Sequence, residues 1–116
     1  MESKLFSPVT FGPLTLRNRT IRSAAFESMC PENTPTQMLL DYHRSVAAGG
    51  VGMTTVAYAA VTQSGLSFER QLWMRPDIIP GLRKLTDAIH KEGAAASIQL
   101  GPVSYTHLRA HETGAY

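Results

Sequence analysis

The feature that most constrains the fold is a regular alternation of helical and strand-like segments. Two helical segments, residues 36–48 and 77–92, each end at a glycine and are each followed by a short apolar run. These runs, residues 51–57 and 95–100, have the length and composition of buried strands. Strands that alternate with helices form a parallel sheet with helical crossovers, so the pattern predicts an α/β fold.

The ends and faces of the two helices can also be predicted. Thr36 and Asp77 are placed to cap them, because such side chains accept hydrogen bonds from free N–H groups of the first helical turn. Apolar residues at helical spacing give each helix one core-facing stripe: Leu39, Tyr42 and Val46 in the first, Leu82, Leu85 and Ile89 in the second. His43 and His90 are expected to be partly exposed helical residues without a functional role.

The N-terminal part predicts a hairpin and a further strand. Residues 5–16 alternate apolar and polar side chains around Gly12-Pro13, which marks a turn, and residues 20–26 form a strand candidate. The resulting order is hairpin, strand, helix, strand, helix, strand. Both a doubly wound sheet and a (β/α)₈ barrel fit this order. A barrel needs about 250 residues, so on that interpretation the chain holds only its first three strands.

Composition excludes several classes of protein. With 116 residues the chain is at most one domain, and its net charge of +2 is too small to indicate a nucleic-acid partner. No apolar run approaches the roughly 20 residues that span a bilayer, and the N-terminus lacks the pattern of a signal peptide. Cys30 is the single cysteine and cannot form an internal disulfide. These features predict a soluble, cytoplasmic protein without a nucleic-acid or membrane partner.

The glycine-rich run from Ala48 to Gly52 does not predict a phosphate-binding loop. Such loops follow a strand and open a helix, so that the helix N-terminus faces the anion. Here the glycines follow a helix and precede a strand. The run is therefore interpreted as a helix stop.

In both candidate architectures ligands bind at the C-terminal ends of the parallel strands. The first two of these ends, around Ala24-Ala25 and Ala57-Tyr58-Ala59, are rich in small uncharged residues that allow a planar ligand to approach the main chain. The third end carries Gln99, whose carboxamide both donates and accepts hydrogen bonds. A capping or surface role for Gln99 is equally compatible with its position.

Four ordered stretches resemble the old yellow enzyme family of FMN-dependent NAD(P)H:flavin oxidoreductases. They are residues 5–8 with 14–19, residues 22–27, Tyr42 with residues 48–53, and residues 79–82 with 87–90 and 99–101. The resemblance implies a (β/α)₈ barrel preceded by a β-hairpin. It implies hydride transfer from NADH or NADPH through FMN to an activated alkene, such as an α,β-unsaturated carbonyl compound.

The resemblance also assigns residues to the flavin. Main-chain groups at Ser23, Ala24 and Ala25 would approach the isoalloxazine ring, as would the main chain at Tyr58, and Gln99 would bind its pyrimidine edge. Phe26 stands where many family members have a threonine or cysteine that donates to the flavin C4 carbonyl, and a phenyl ring cannot donate. The family's catalytic side chains lie beyond Gly101, so no catalytic residue and no metal ligand is assigned.

The pattern stops at Gly101-Pro102, within a family motif. The next eleven residues, 103–113, are identical to the translation of a transposase-based sequencing adapter. We therefore expect residues 1–101 to be a partial FMN-binding barrel domain and residues 102–116 to be a non-native tail. His107 and His111 have a spacing that suits two metal ligands on a helix, but on this interpretation they have no function. The alternatives are a non-functional truncated chain and a small doubly wound binding module.

Overall fold

The structure, a computed structural model, describes residues 3–66 and 69–101. It opens with an antiparallel hairpin of β1 (Val9–Phe11) and β2 (Leu14–Leu16). The turn residues are Gly12 and Pro13, and Gly12 has a φ of 55°. Two-residue hairpin turns need a positive φ at this position, which glycine adopts without steric cost, so the predicted hairpin is confirmed.

A three-stranded parallel sheet follows, with strand order β3-β4-β5. Helix α1 connects β3 to β4, and helix α2 connects β4 to β5. The elements are β3 (Ile21–Arg22), α1 (Gln37–Ala48), β4 (Met53–Ala60), α2 (Ile79–Lys91) and β5 (Ala95–Gly101), with short 3-10 helices at Pro31–Asn33, Gln63–Gly65 and Pro76–Ile78. The predicted alternation of strands and helical crossovers is thus confirmed.

The hydrophobic core lies between the two helices and one face of the sheet. Its fully buried members include Leu39 and Ala47 of α1, Val56 of β4, and Leu85 and Ile89 of α2. Each helix therefore contributes apolar residues at helical spacing to one side. Within residues 3–66 and 69–101, no helix combines the length and apolar composition needed to cross a membrane.

One of the two predicted helix caps is confirmed and the other is wrong. The Thr36 hydroxyl accepts a hydrogen bond from the Leu39 N–H at 3.1 Å, as expected. Asp77 instead lies within the 3-10 helix that precedes α2, and its carboxylate pairs with Arg75 at 2.8 Å. The 3-10 turn itself supplies an acceptor, the Pro76 carbonyl, to the first N–H of α2, so a side-chain cap is not needed there.

The first parallel strand is much shorter than predicted. Only Ile21 and Arg22 pair with β4, opposite Met53 and Thr54, whereas residues 20–26 were expected to form a strand. The chain leaves the sheet after Arg22 because side chains, rather than its main chain, bind the next polar groups of β4. Those contacts belong to the candidate site.

At the N-terminal ends of the strands, a single arginine holds several chain segments together. The Arg17 guanidinium donates to the carbonyl oxygens of Ala47, Val51 and Glu92, which lie at or just beyond the C-terminal ends of α1 and α2. A cation at helix C-termini binds carbonyl groups that have no partner within the helix. The contacts of Arg17 at this end of the sheet therefore contribute to the stability of the fold.

Candidate functional site

The predicted ligand-facing residues of β4 and β5 are brought together by an irregularity in the sheet. Val56 pairs with Ile98 and Ala59 pairs with Leu100, so Ala57 and Tyr58 together lie opposite Gln99. Two residues facing one is the pattern of a β-bulge, which redirects side chains and is common beside active sites. Tyr58 is half-buried and Gln99 is exposed. Among the described residues, the Gln99 carboxamide has no hydrogen-bond partner, and it is therefore available to a ligand.

Side chains replace the main chain where β3 separates from β4. The Arg22 Nη1 donates to the Thr55 carbonyl at 2.8 Å, and the Glu27 Oε1 accepts from the Ala57 N–H at 3.1 Å. Arg22 and Glu27 also pair with each other, Nη1 to Oε2, at 2.8 Å. Residues 23–26 thus form a short excursion whose two ends are joined by one ion pair.

A buried histidine completes this group. His43 of α1 is fully buried, its Nε2 lies 2.8 Å from Glu27 Oε2, and its Nδ1 lies 2.8 Å from the Thr54 hydroxyl. The Nε2 and Oε2 atoms are in close contact, but the contact is out of line with the ring N–H and is not an aligned hydrogen bond. The expectation that His43 is partly exposed is wrong, because the helix face that carries it packs against β4. We call Arg22, Glu27 and His43 the Arg–Glu–His cluster.

The surroundings of Glu27 favour its ionised form. Burial raises the pKa of this carboxyl group, but the contact with His43, the Ala57 N–H and the Arg22 guanidinium together lower it below 4.5. The Arg22 guanidinium is held in turn by the Tyr42 hydroxyl at 3.0 Å and lies over the Tyr42 ring. These contacts hold the Arg22 and Glu27 side chains in place beside the excursion of residues 23–26.

Beyond the Arg–Glu–His cluster, a returning loop covers the same edge of β4. The Gln71 side chain donates to the Tyr58 carbonyl at 3.3 Å. The Ala60 N–H donates to the Leu72 carbonyl, and the Met74 N–H donates to the Ala60 carbonyl, each at 2.8 Å. The main-chain groups along this edge of β4 thus have hydrogen-bond partners other than residues 23–26. Those residues lie at the C-terminal ends of the strands.

Cys30 is buried beside the Arg–Glu–His cluster. Its side chain is buried, and burial together with the charge of Glu27 raises the pKa of the thiol to about 11, although Arg70 opposes the shift. A thiol with such a pKa carries almost no thiolate at neutral pH. The described residues also contain no group of three or more His, Cys, Asp or Glu side chains that could hold a metal ion.

The six residues assigned to the flavin all lie at this end of the sheet. Ser23, Ala25, Phe26 and Gln99 are exposed, and Ala24 and Tyr58 are half-buried. The donor set fits a flavin ring: a carboxamide available to a ligand, and a main-chain segment with small side chains that lies outside the sheet. Phe26, which is 64% exposed, offers only an apolar ring. Nothing in this arrangement conflicts with a planar, polar-edged cofactor.

A family model described as the NADH:flavin oxidoreductase / NADH oxidase family matches residues 4–113. The chain belongs to this family. The match includes residues 102–113, which lie outside the described residues, so the expected boundary at residue 101 and the absence of a role for His107 and His111 stay predictions.

The family assignment agrees with individual relatives. The chain is 47% identical over 97 residues to the 4,4'-dithiodibutanoate disulfide reductase of Rhodococcus erythropolis, covering 84% of this chain and 24% of that reductase. A solved structure of 2-naphthoyl-CoA reductase matches with a TM-score of 0.79 at 27% identity, over 84% of this chain and 15% of that one. The old yellow enzyme from Trypanosoma cruzi matches with a TM-score of 0.75 at 27% identity, over 84% and 26%.

These comparisons decide between the two architectures left open by the sequence. The structural neighbours are (β/α)₈-barrel enzymes, so the hairpin and the three parallel strands are the opening part of such a barrel. The chain spans about a quarter or less of the length of the curated relatives and solved structures quoted above. It carries the first strand ends of the flavin oxidoreductase barrel.

Sequence reasoning found the strand ends of this family member but missed the residues beneath them. The sequence assigned no role to Glu27 or to Thr54. One signal was present: Arg22 and Glu27 are the only charged residues of the segment 22–27 and flank four uncharged ones. A pair of opposite charges around small residues is a reason to expect a short loop closed by an ion pair.

Proposed function

We propose that this protein is an FMN-dependent oxidoreductase that takes hydride from NADH or NADPH and reduces activated alkenes such as α,β-unsaturated carbonyl compounds. The observation that carries the proposal is the group of polar and small residues at the strand ends of a flavin oxidoreductase family member. There, the carboxamide of Gln99 and the main chain of residues 23–25 are available to a planar ligand.

Each assigned residue has a specific task in this proposal. Main-chain groups at Ser23, Ala24 and Ala25 bind the isoalloxazine ring, where small side chains permit close approach. Gln99 binds the pyrimidine edge, since one carboxamide both donates to a carbonyl and accepts from an N–H. Tyr58, opposite Gln99 in the β-bulge, borders the ring with its main chain.

Phe26 changes how the flavin is held compared with many family members. Its ring cannot donate a hydrogen bond, so a bond to the flavin C4 carbonyl comes from the main chain or is absent. Hydrogen bonds to the ring adjust the electronics of a flavin. Bound FMN supplies the hydride transfer itself, and the described residues of this chain bind and orient it.

The relatives support a reductase and widen the choice of electron acceptor. The 47% identity to a disulfide reductase favours a disulfide as the second candidate substrate class. Both candidates use the same flavin site and differ only in what accepts electrons from the reduced ring. The alkene remains the primary proposal because of the resemblance to the old yellow enzyme family.

The experiment that tests the proposal uses the complete gene product. We expect it to purify with a flavin absorption spectrum and to oxidise NADH or NADPH in the presence of 2-cyclohexenone. Substituting Gln99→Leu, which has a similar size but no polar groups, is expected to weaken FMN binding about tenfold, the size of a hydrogen bond of about 1.4 kcal/mol. A protein that stays colourless with added FMN contradicts the proposal, whereas turnover of 4,4'-dithiodibutanoate alone selects the disulfide candidate.

The 116-residue chain by itself is proposed to be inactive. Large apolar side chains are exposed in it, among them Ile21 at 47% and Leu100 at 52%. These two residues belong to β3 and β5, the edge strands of the three-stranded sheet, and unpaired strand edges make a chain prone to aggregation. We further propose that the protein acts in the cytoplasm on a small-molecule substrate, without a nucleic-acid or membrane partner.

A further inference from the structure

We propose that the Arg–Glu–His cluster positions the flavin by taking over the hydrogen bonds that the main chain of Ala24 would otherwise make in the sheet. Arg22, Glu27 and His43 are in this view positioning residues, which act on the cofactor through the shape of residues 23–26. The inference rests on the proposed function, because it concerns the same flavin site.

The first step is the register of the sheet. Arg22 pairs with Thr54, so a strand that continued for two more residues would place Ala24 opposite Val56. In a parallel ladder a residue bonds to the two neighbours of its partner, which here are Thr55 and Ala57. The N–H and C=O of Ala24 would therefore be used by the Thr55 carbonyl and the Ala57 N–H.

The second step is that both of these groups already have other partners. The Thr55 carbonyl accepts from Arg22 Nη1, and the Ala57 N–H donates to Glu27 Oε1. Buried main-chain groups need hydrogen bonds, and β4 obtains them here from side chains. The main chain of Ala24 can therefore lie outside the ladder, and the Thr55 carbonyl and the Ala57 N–H of β4 still have hydrogen-bond partners.

The third step is the anchoring of Glu27. One of its oxygens accepts from the Ala57 N–H, and the other contacts both Arg22 and His43 at 2.8 Å. His43 is itself fixed by Thr54, which belongs to the same strand. Because all these contacts are buried or half-buried, the carboxylate has little freedom, and it holds the far end of the excursion in one place.

The consequence concerns the cofactor. Ser23, Ala24 and Ala25 occupy the excursion and have side chains too small to bind a flavin by themselves. Their contribution is the direction of their main-chain N–H and C=O groups, and that direction depends on the two fixed ends. Removing the Arg–Glu–His cluster is expected to let residues 23–26 return to the sheet or move freely, so that the flavin loses these contacts.

The test compares FMN binding by variants of the complete protein. Glu27→Ala removes both acceptor functions of the carboxylate, and Glu27→Gln keeps an acceptor for the Ala57 N–H but removes the charge that holds Arg22 and His43. The matched control is Asp41→Asn, which removes an exposed ion pair with Arg44 on the same helix as His43. The measurements are the FMN dissociation constant of each apoprotein, the visible circular dichroism of the bound flavin, and the melting temperature of the apoprotein.

We expect Glu27→Ala to weaken FMN binding at least tenfold and to change the visible circular dichroism of the bound flavin. Glu27→Gln should lie between Glu27→Ala and wild type, and Asp41→Asn should stay within twofold of wild type. The change in the flavin spectrum separates positioning from stability, since a merely destabilised protein would bind fewer flavins with an unchanged spectrum.

Two results would overturn the inference. In the first, folded Glu27→Ala binds FMN within twofold of wild type and with the same spectrum. In the second, which decides if Glu27→Ala does not fold, Glu27→Gln shows wild-type affinity and spectrum. Wild-type protein that fails to bind FMN is a different outcome, because it removes the proposed function and the inference together.

Discussion

The glycine run that ends α1 allows a quantitative test of the structure. Gly49, Gly50 and Gly52 look alike in sequence, but alanine at each position meets different surroundings. A Cβ at Gly52 would lie 2.6 Å from the Asn18 main-chain oxygen and 2.9 Å from the Thr20 main-chain oxygen. A Cβ at Gly50 meets nothing within 4 Å, although the φ of Gly50 is 108°.

The magnitude of the Gly52→Ala effect follows from how firmly these oxygens are held. The Thr20 carbonyl accepts from the N–H groups of both Gly52 and Met53 at 3.0 and 3.2 Å. The Asn18 side chain is bound to Gly50 and Thr20. Relief of the overlap costs about 1–3 kcal/mol of packing and strain, and one or two lost hydrogen bonds add about 1 kcal/mol each. We therefore expect Gly52→Ala to destabilise the protein by about 2–5 kcal/mol.

The two neighbouring glycines are the controls. Gly50→Ala places an alanine at a positive φ and should cost about 1–2 kcal/mol. Gly49 has an ordinary helical φ of −72°, and a Cβ there would lie 3.3 Å from the Val46 main-chain oxygen, so Gly49→Ala should change stability by at most about 0.5 kcal/mol in either direction.

The assay is urea unfolding of the complete protein, followed by far-ultraviolet circular dichroism. The expected order of stability loss is Gly52→Ala, then Gly50→Ala, then Gly49→Ala. A Gly52→Ala variant no less stable than Gly50→Ala would refute the reasoning, since it would show that Asn18 and Thr20 can move aside freely. FMN affinity of the folded Gly52→Ala protein should be unchanged, because Gly52 lies at the end of the sheet opposite the proposed flavin site.

Three further predictions use other parts of the structure. Arg17→Ala should lower the free energy of unfolding by about 2–4 kcal/mol in the same urea assay, because charged hydrogen bonds to several carbonyl groups are lost. Arg19→Ala, at an exposed position, is the control and should lower it by less than about 0.5 kcal/mol. Cys30 should react with iodoacetamide at least about tenfold more slowly than a thiol with a pKa of 9.0. A pKa of about 11 leaves about 100-fold less thiolate, and the greater nucleophilicity of the more basic thiolate offsets only about tenfold of this. Peptide mass spectrometry measures the rate, and a rate typical of free cysteine would contradict the burial. Folding lowers the pKa of Glu27, so its ionised form contributes stability above pH 4.5 that is lost as the pH falls through the lowered value. Below pH 4.5, the urea midpoint of Glu27→Gln should therefore depend less on pH than that of wild type. An equal pH dependence of the two midpoints would contradict the lowered pKa.

Local patterns predicted most of the secondary structure. The Thr36 cap, the apolar stripe of α2 and the Gly12-Pro13 turn depend on residues within a few positions of one another, and all three appear as expected. The predictions failed where distant residues intervene. The cap at Asp77 was displaced by a 3-10 turn that already satisfied the helix, and the strand at residues 20–26 was cut short by Arg22 and Glu27.

For the candidate site, sequence and structure contributed different parts. The order of strands and helices places Gln99 and Tyr58 at strand ends, but only the β-bulge sets them opposite each other. A bulge is a mismatch between two strands, and neither strand alone encodes it.

The sequence by itself determined the alternating fold, the glycine stops and the strand ends at which a flavin is expected, because helix and strand periodicity and turn chemistry are properties of neighbouring residues. Only the tertiary structure decided that His43 is buried against Glu27 and that residues 23–26 leave the sheet. Arg22, Glu27 and His43 are separated by up to 21 positions, and the His43 side chain reaches the other two only when α1 packs on β4. In the folded chain, the Arg22 and Glu27 side chains bind the Thr55 carbonyl and the Ala57 N–H, which a longer first strand would use.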